Sequence, residues 1–298
     1  MMIFHTILVM VLYSNLVSST DIEDSTEQYE RVAKGSPVPE GAYPFFVSIQ
    51  KPDPNSTTGY THRCGGSLIS AQFVVTAAHC LVDTEHVREY RVLPNYRNTP
   101  FIHPTDRTFK IPYHVIHPGY NLTGPKNIKH DIAVLLLDQP DPRPNAIIRL
   151  PFVEIPLQEP VTLIGFGKIE TQAYPGALRS AVLFRKSDQE CVAENKGIHY
   201  FPVFNLCTSN VNGSGSCFGD SGGPLFLTVD NIHYIQGVVA SSYPPCGSYH
   251  ITNFASVFGH MDFIHQAISY LNFFNQISNQ HNKGQFQMKE VKEMQNKE

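Results

Sequence analysis

Between residues 31 and 271 the apolar positions come in short runs separated by Pro, Gly and Asn. Phe45 to Ile49, Phe73 to Ala77, Ile132 to Leu137, Val161 to Gly165, Pro224 to Leu227 and Ile235 to Ala240 each hold four to six residues rich in Val, Ile, Leu or Phe. Runs of that length bounded by turn formers predict strands, and their number predicts an all-β sandwich or barrel. The end of the chain reads differently: Ile264, Ala267, Ile268 and Leu271 share the spacing of one helix face, which predicts a terminal helix. Beyond Asn275 the composition shifts to Asn, Gln, Lys and Glu, and residues 274–298 read as an unstructured tail.

The interval 140–160 carries Pro140, Pro142, Pro144, Pro151, Pro156 and Pro160. A proline has no N–H to give to a sheet, so this stretch predicts a linker between two β halves, 32–155 and 156–273. Residues 1–19 form an apolar leader ending in Ser18-Ser19-Thr20, which predicts a removed secretory signal rather than a membrane anchor. Residues 20–31 follow as a short acidic propeptide. No later segment approaches the roughly 20 apolar residues of a membrane helix, so the expectation is a secreted, extracellular protein without membrane contact.

Composition refines this picture. The chain has 298 residues, 42% hydrophobic and 16% charged, which describes a globular protein large enough for one big or two medium cores. Its formal net charge of −4 equals the excess of Asp21, Glu23, Asp24, Glu27 and Glu30 over Arg31, leaving the rest near neutral. No basic patch remains to suit a nucleic acid. Six cysteines fit an oxidising compartment and up to three bridges, which sequence alone connects in any of about 15 ways. Sequons at Asn55, Asn121 and Asn212 are glycosylation candidates.

The candidate chemistry lies in three short motifs. Gly219-Asp220-Ser221-Gly222-Gly223-Pro224 places a serine between glycines that let backbone approach a substrate. Such a serine needs a base to take its proton and donors for the oxyanion it creates. Thr76-Ala77-Ala78-His79-Cys80 sets a histidine at a strand end beside a cysteine, and His130-Asp131-Ile132-Ala133-Val134 sets an acid at the mouth of an apolar strand. Each alone is also what a turn or a strand start looks like.

Together, in this order, the three motifs resemble the chymotrypsin-like (trypsin-fold) serine peptidases over residues 32 to about 271. The resemblance implies an all-β fold of two six-stranded antiparallel barrels with a C-terminal helix and the active site between them. It implies Ser221 as nucleophile, His79 as general base, Asp131 as its orienting acid, and the N–H groups of Gly219 and Ser221 as oxyanion hole. It implies bridges Cys64–Cys80, Cys191–Cys207 and Cys217–Cys246. It also implies activation by a trypsin-like protease at Arg31, freeing a Val32 ammonium to pair with Asp220, although Val32-Ala33-Lys34-Gly35 departs from the family's usual Ile-Val-Gly-Gly. No cofactor, metal or calcium is expected; protein or peptide substrates, protein inhibitors and a monomeric state are.

On the same resemblance Gly215 forms the floor of the primary specificity pocket, and an acid there would select Arg or Lys. Ser241, Ser242 and Tyr243 supply one wall, and Thr252 stands where a glycine often opens the pocket. The chain has no Trp, so the family's Ser-Trp-Gly wall is replaced, and the serine that would support Asp131 is Ser241 or is lost to Ala240. These residues suggest an elastase-like preference for small or medium apolar side chains, with a chymotrypsin-like pocket as the alternative. The competing functions are a non-catalytic homologue that binds a partner through the same fold, and a regulatory protease with a narrow target.

Overall fold

The computed structural model describes residues 32, 35–82, 84–94, 106–121, 127–167, 178–210, 213–242 and 251–295. Arg31, Asn212, Tyr243 and Cys246 lie outside them, as do the predicted signal and most of the propeptide junction. Among the described residues there are fourteen strands: β1 Ser36–Pro37, β2 Phe46–Pro52, β3 Tyr60–Leu68, β4 Phe73–Thr76, β5 Arg91–Pro94, β6 Phe109–Lys110, β7 Tyr113–Ile116, β8 Ala133–Leu136, β9 Pro160–Gly165, β10 Arg179–Arg185, β11 Asn205–Ser209, β12 Pro224–Val229, β13 Ile232–Ser241 and β14 Ile251–Ser256. Two α-helices accompany them, α1 Asp188–Glu194 and α2 Met261–Gln295. Each of the six apolar runs supplies all or most of a strand.

The strands form two antiparallel seven-stranded sheets. The first runs β6-β5-β2-β3-β4-β8-β7. The second closes on itself, because β9 pairs with both β12 and β10, and makes a six-stranded barrel with β1 added against β10. The expectation of two closed barrels therefore holds for the second half, while the first is a half-barrel. Its two edge strands, β6 and β7, are consecutive in the chain, joined by Ile111 and Pro112, and do not pair with each other.

β1 comes from the N-terminal half yet pairs with β10, Ser36 opposite Ser180. Val32 is fully buried with Val161, Leu163, Leu183, Leu206, Leu225 and Phe254 in the core of the second sheet. The first sheet wraps Phe45, Phe46, Val47, Ile49, Val74, Phe109 and Leu135. Burying a side chain of this size contributes about 2–3 kcal/mol, so these rings and branched chains fix which face of each strand turns inward.

Short-range chemistry sets the helices. Ser187 caps α1 in a reciprocal box with Glu190, and Cys191 bonds the helix to Cys207 on β11. The first turns of α2 bury Ile264, Ala267 and Leu271, with Ile268 packed alongside, as the spacing predicts. The helix then continues through Gln295, where composition suggests an unstructured tail. Gln, Lys, Glu and Met are all good helix formers, and a helix already nucleated on the core propagates through them. No described helix is long and apolar enough to cross a membrane. Asn55 and Asn121 are exposed, as sugar attachment requires.

Candidate active site

The predicted base and acid meet. His79 sits in a 3-10 turn, Ala78–Leu81, directly after β4, and Asp131 directly precedes β8; β4 and β8 pair with Thr76 opposite Ala133. That register brings two residues 52 apart in sequence face to face. His79 N–H donates to Asp131 Oδ1 at 2.8 Å, and its Nδ1 lies 2.7 Å from Oδ2. A carboxylate only accepts, so Nδ1 carries the proton and Nε2 offers its lone pair outward. Burial works to lower the pKa of His79, but the charge and hydrogen bond of Asp131 outweigh it and hold it above the usual imidazole value, while Arg63 pulls the other way. The Asp131 side chain is 3% exposed and that of His79 31%, so the acid is sealed and the base is reachable. Among the described residues the carboxylate has no hydrogen-bond partner except His79; neither Ser241 nor Ala240 supports it.

The Ser221 loop docks on β3 and the end of β4, the strand that leads to His79. The Ser221 carbonyl accepts from Gly65 N–H at 2.8 Å, next to Cys64, whose bridge to Cys80 adjoins His79. Gly222 has φ +77°, and a Cβ there would stand 2.3 Å from Thr76 Oγ1 and 2.5 Å from the Gly65 carbonyl, so only glycine lets the loop approach. The hydroxyl of Ser221 makes no hydrogen bond to His79 Nε2 among the described contacts. An apo site commonly leaves that bond loose until substrate arrives. The N–H groups of Gly219 and Ser221 have no backbone acceptor among the described residues and point from a partly exposed loop.

Asp220 is fully buried and accepts from Cys217 N–H at 2.7 Å and Gly167 N–H at 2.5 Å. Burial raises its pKa to about 7, against the pull of those two donors. Gly165 and Gly167 crowd it, since a Cβ on either would meet its carboxylate at 2.0 Å and 2.4 Å. Cys217 is disulfide-bonded; its predicted partner Cys246 lies outside the described residues.

The pocket residues converge as well. Ser216 N–H donates to Thr252 Oγ1 at 3.2 Å, its hydroxyl bonds to Ser242, and Thr252 Oγ1 donates to Asn210 Oδ1 at 3.0 Å. Asn210 fills the space over Gly215, where an added Cβ would meet its amide at 2.5 Å. Tyr243 and Arg31 lie outside the described residues.

Sequence reasoning missed three residues here. Asn210 and Ser216 contact the predicted pocket residues Gly215, Ser242 and Thr252, and nothing in their flanks announces it. His62 is the third: Ser48 Oγ lies 2.7 Å from its Nδ1, and its Nε2–H donates to the Gly219 carbonyl at 2.8 Å. A carbonyl accepts only, so the Ser48 hydroxyl is the donor to Nδ1 and the imidazole is neutral. Burial drives its pKa down to about 4, in agreement. The chain Ser48–His62–Gly219 thus pins the Gly219–Asp220 peptide, which lies between the two N–H groups predicted as oxyanion donors. The signal available in sequence was only its place two residues before Cys64.

A second imidazole group adjoins Asp131: His117, His130 and His260. Burial lowers His117 and His260 to about 4, and His130 is lowered as well, with Lys129 opposing charge on His117 and His130.

Comparison with known proteins gives the family. The family model described as Trypsin matches residues 32–264. CLIP domain-containing serine protease B10 of Anopheles gambiae is 30% identical over 237 residues, which cover 73% of this chain and 64% of that protein. Chymotrypsin-2 of Vespa crabro is 28% identical over 241 residues, covering 78% of this chain and 98% of that protein. The chain thus spans less than two thirds of the length of the Anopheles relative and nearly all of the Vespa one. With its paired β halves, the buried Asp131 clamp on His79 and a family match over most of its length, the chain belongs to the trypsin family of serine proteases.

Proposed function

We propose that the chain is a secreted serine endopeptidase, made as a zymogen, that cleaves peptide bonds through His79, Asp131 and Ser221. The observation that carries this reading is the two-point hold of buried Asp131 on His79, which fixes the tautomer a general base needs. Ser221 Oγ attacks the scissile carbonyl while His79 Nε2 takes its proton. Asp131 stabilises the imidazolium, and His79 returns the proton to the leaving amine. Water, deprotonated by the same base, then releases the acyl group. The N–H groups of Gly219 and Ser221 receive the oxyanion, one such donor being worth about 3 kcal/mol.

Cleavage after Arg31 frees the Val32 amine, and Asp220, buried without a cation among the described residues, is the acid that receives it. Bridges at Cys64–Cys80 and Cys191–Cys207 support passage through an oxidising compartment. A pocket floored by Asn210 over Gly215 offers no carboxylate for Arg or Lys, and supports a preference for small or medium apolar side chains before the cut.

The test is to cut the recombinant chain at Arg31 with trypsin, inhibit the trypsin selectively, and assay peptides bearing Ala, Val, Leu, Phe, Tyr or Arg before the scissile bond. The expected result is activity on Ala, Val or Leu peptides that vanishes in Ser221→Ala. Preference for Phe and Tyr favours the chymotrypsin-like pocket, and preference for Arg overturns the pocket reading. No cleavage together with no labelling of Ser221 by an active-site phosphonate establishes the non-catalytic binding protein instead.

A further inference from the structure

Three imidazoles from separate parts of the chain meet just behind Asp131. His117 follows β7, His130 precedes Asp131, and His260 precedes α2. One ring nitrogen from each lies within 4.8 Å of the other two. The rings of His117 and His130 stack with centroids 4.0 Å apart and planes 6° from parallel, and His130 Nδ1 stands 3.0 Å from His260 Nε2. The catalytic scheme uses none of them.

The proton positions follow from the partners. His260 Nδ1 lies 2.6 Å from the Ser256 carbonyl, so it carries the hydrogen and Nε2 holds a lone pair. A backbone carbonyl holding the far nitrogen is the outer support that orients histidine ligands in metal sites. His130 Nδ1–H donates to that lone pair, and His130 keeps φ +58°, a left-handed conformation that costs a non-glycine residue about 1 kcal/mol or more. His117 Nδ1 accepts from Gly119 N–H at 3.0 Å in an exposed bond that water can replace.

We propose that His117, His130 and His260 form a site for a divalent transition-metal ion of the zinc class, and that filling it inhibits the protease through the adjoining Asp131. Neutral imidazoles suit Zn²⁺, Cu²⁺ or Ni²⁺ rather than Ca²⁺ or Mg²⁺. Two nitrogens on tetrahedral zinc at about 2.05 Å lie roughly 3.3 Å apart, so the His130–His260 pair already has nearly the required spacing. Parallel stacked rings cannot both aim in-plane lone pairs at one ion, so His117 must swing out of its stack on His130 about its side-chain bonds, giving up the Gly119 bond, to become the third ligand. A water completes the shell. His260 is in the ligating tautomer already; His130 reaches it by moving its ring proton from Nδ1 to Nε2, so no net proton is released. Lys129, whose ammonium faces the rings of Phe201 and Phe204, opposes the cation and limits its affinity.

Inhibition follows from position. Asp131 is the next residue after His130, and its charge is felt at His260. A dication there competes for the carboxylate that must stabilise the His79 imidazolium, and drawing His130 inward strains the peptide that places Asp131. The inhibitory half of the inference rests on the protease reading above; the binding half does not.

The experiment is calorimetric titration of ZnCl₂ into the full chain carrying Ser221→Ala, in a buffer that does not chelate. One ion per chain is expected, bound about 100-fold or more weakly in His117→Asn and in His260→Gln, since even an outer-shell partner is worth 10- to 100-fold. His117→Asn retains an acceptor for Gly119 N–H and so keeps the loop. Binding should persist in His79→Ala, at the same affinity or tighter because Asp131 loses the competing imidazole, which separates this site from the triad. In the activated wild type, Zn²⁺ should inhibit, EDTA should restore the rate, and His117→Asn should need a correspondingly higher concentration, each rate taken relative to its own metal-free value. No binding, equal binding in both cluster variants, or loss of binding in His79→Ala overturns the site. Binding with undiminished activity overturns the inhibition. Binding by a chain inactive with and without metal leaves the site standing and removes the protease reading.

Discussion

Asp220 makes activation measurable as a change in the pH dependence of stability. Fully buried, with a pKa of about 7 against an ordinary value of 3.8, it folds more readily as the neutral acid. For a group whose folded pKa is raised, the stabilising contribution is complete below the unfolded pKa and is lost as pH rises through the folded one. The window is therefore about pH 4 to 7, and the penalty above it is roughly 4 kcal/mol, at 1.36 kcal/mol per pH unit. Cutting after Arg31 supplies an ammonium that pairs with the ionised acid and removes this penalty. The uncut and cut chains, both carrying Ser221→Ala to prevent autolysis, should be unfolded in urea from pH 4.5 to 10. The cut also separates the propeptide acids and creates an Arg31 carboxyl, but at ordinary pKa values these groups finish titrating by about pH 5, so above that pH the difference between the two curves isolates Asp220 and the new amine. The cut form should gain on the uncut form as pH rises from about 5 to 7.5, with a slope approaching one proton. The gain should decline again above about pH 8, the unfolded pKa of an α-amine, as the amine loses its charge. A difference that stays flat across this range would refute the pairing and the activation scheme with it.

Three further outcomes follow from the site. Asp131→Asn should lower kcat by about 10⁴-fold with little change in KM, because the amide no longer holds Nδ1–H and the tautomer is lost; steady-state kinetics on the preferred peptide checks it. His62→Ala leaves the Gly219 carbonyl and the buried Ser48 hydroxyl without partners, costing about 2–6 kcal/mol in urea unfolding at about 1–3 kcal/mol for each orphaned group, whereas His62→Gln, with one donor and one acceptor, should restore most of it. Gly215→Asp alone should not create cleavage after Arg, since the new side chain collides with Asn210, and Arg peptides should become substrates only when Asn210→Gly is added.

Much of this arrangement was legible because it is local. Short apolar runs fixed the strands, the spacing of Ile264, Ala267 and Leu271 fixed the first turns of α2, and the flanks of His79 and Asp131 fitted strand ends that pair. The family resemblance ordered the cysteines, and Cys64–Cys80 and Cys191–Cys207 bond as it implied. What escaped depends on distant partners. His62 is one of 14 histidines, and its role appears only when Gly219, 157 positions away, comes to rest on it. Asn210 and Ser216 gain meaning only from Thr252 and Ser242 on or beside other strands. The helical path to Gln295 reflects propagation from a buried first turn, which composition read window by window does not register.

The proposed base and acid and the proposed pocket residues belong to different sheets. His79 and Asp131 are held by β4 and β8 of the half-barrel, whereas Asn210, Ser216, Ser242 and Thr252 hang from the closed barrel. Ser221 itself rides on the closed barrel, in the same loop as Ser216, so the base and acid can stay fixed on one sheet while the pocket on the other varies only as far as the geometry of the Ser221 loop permits.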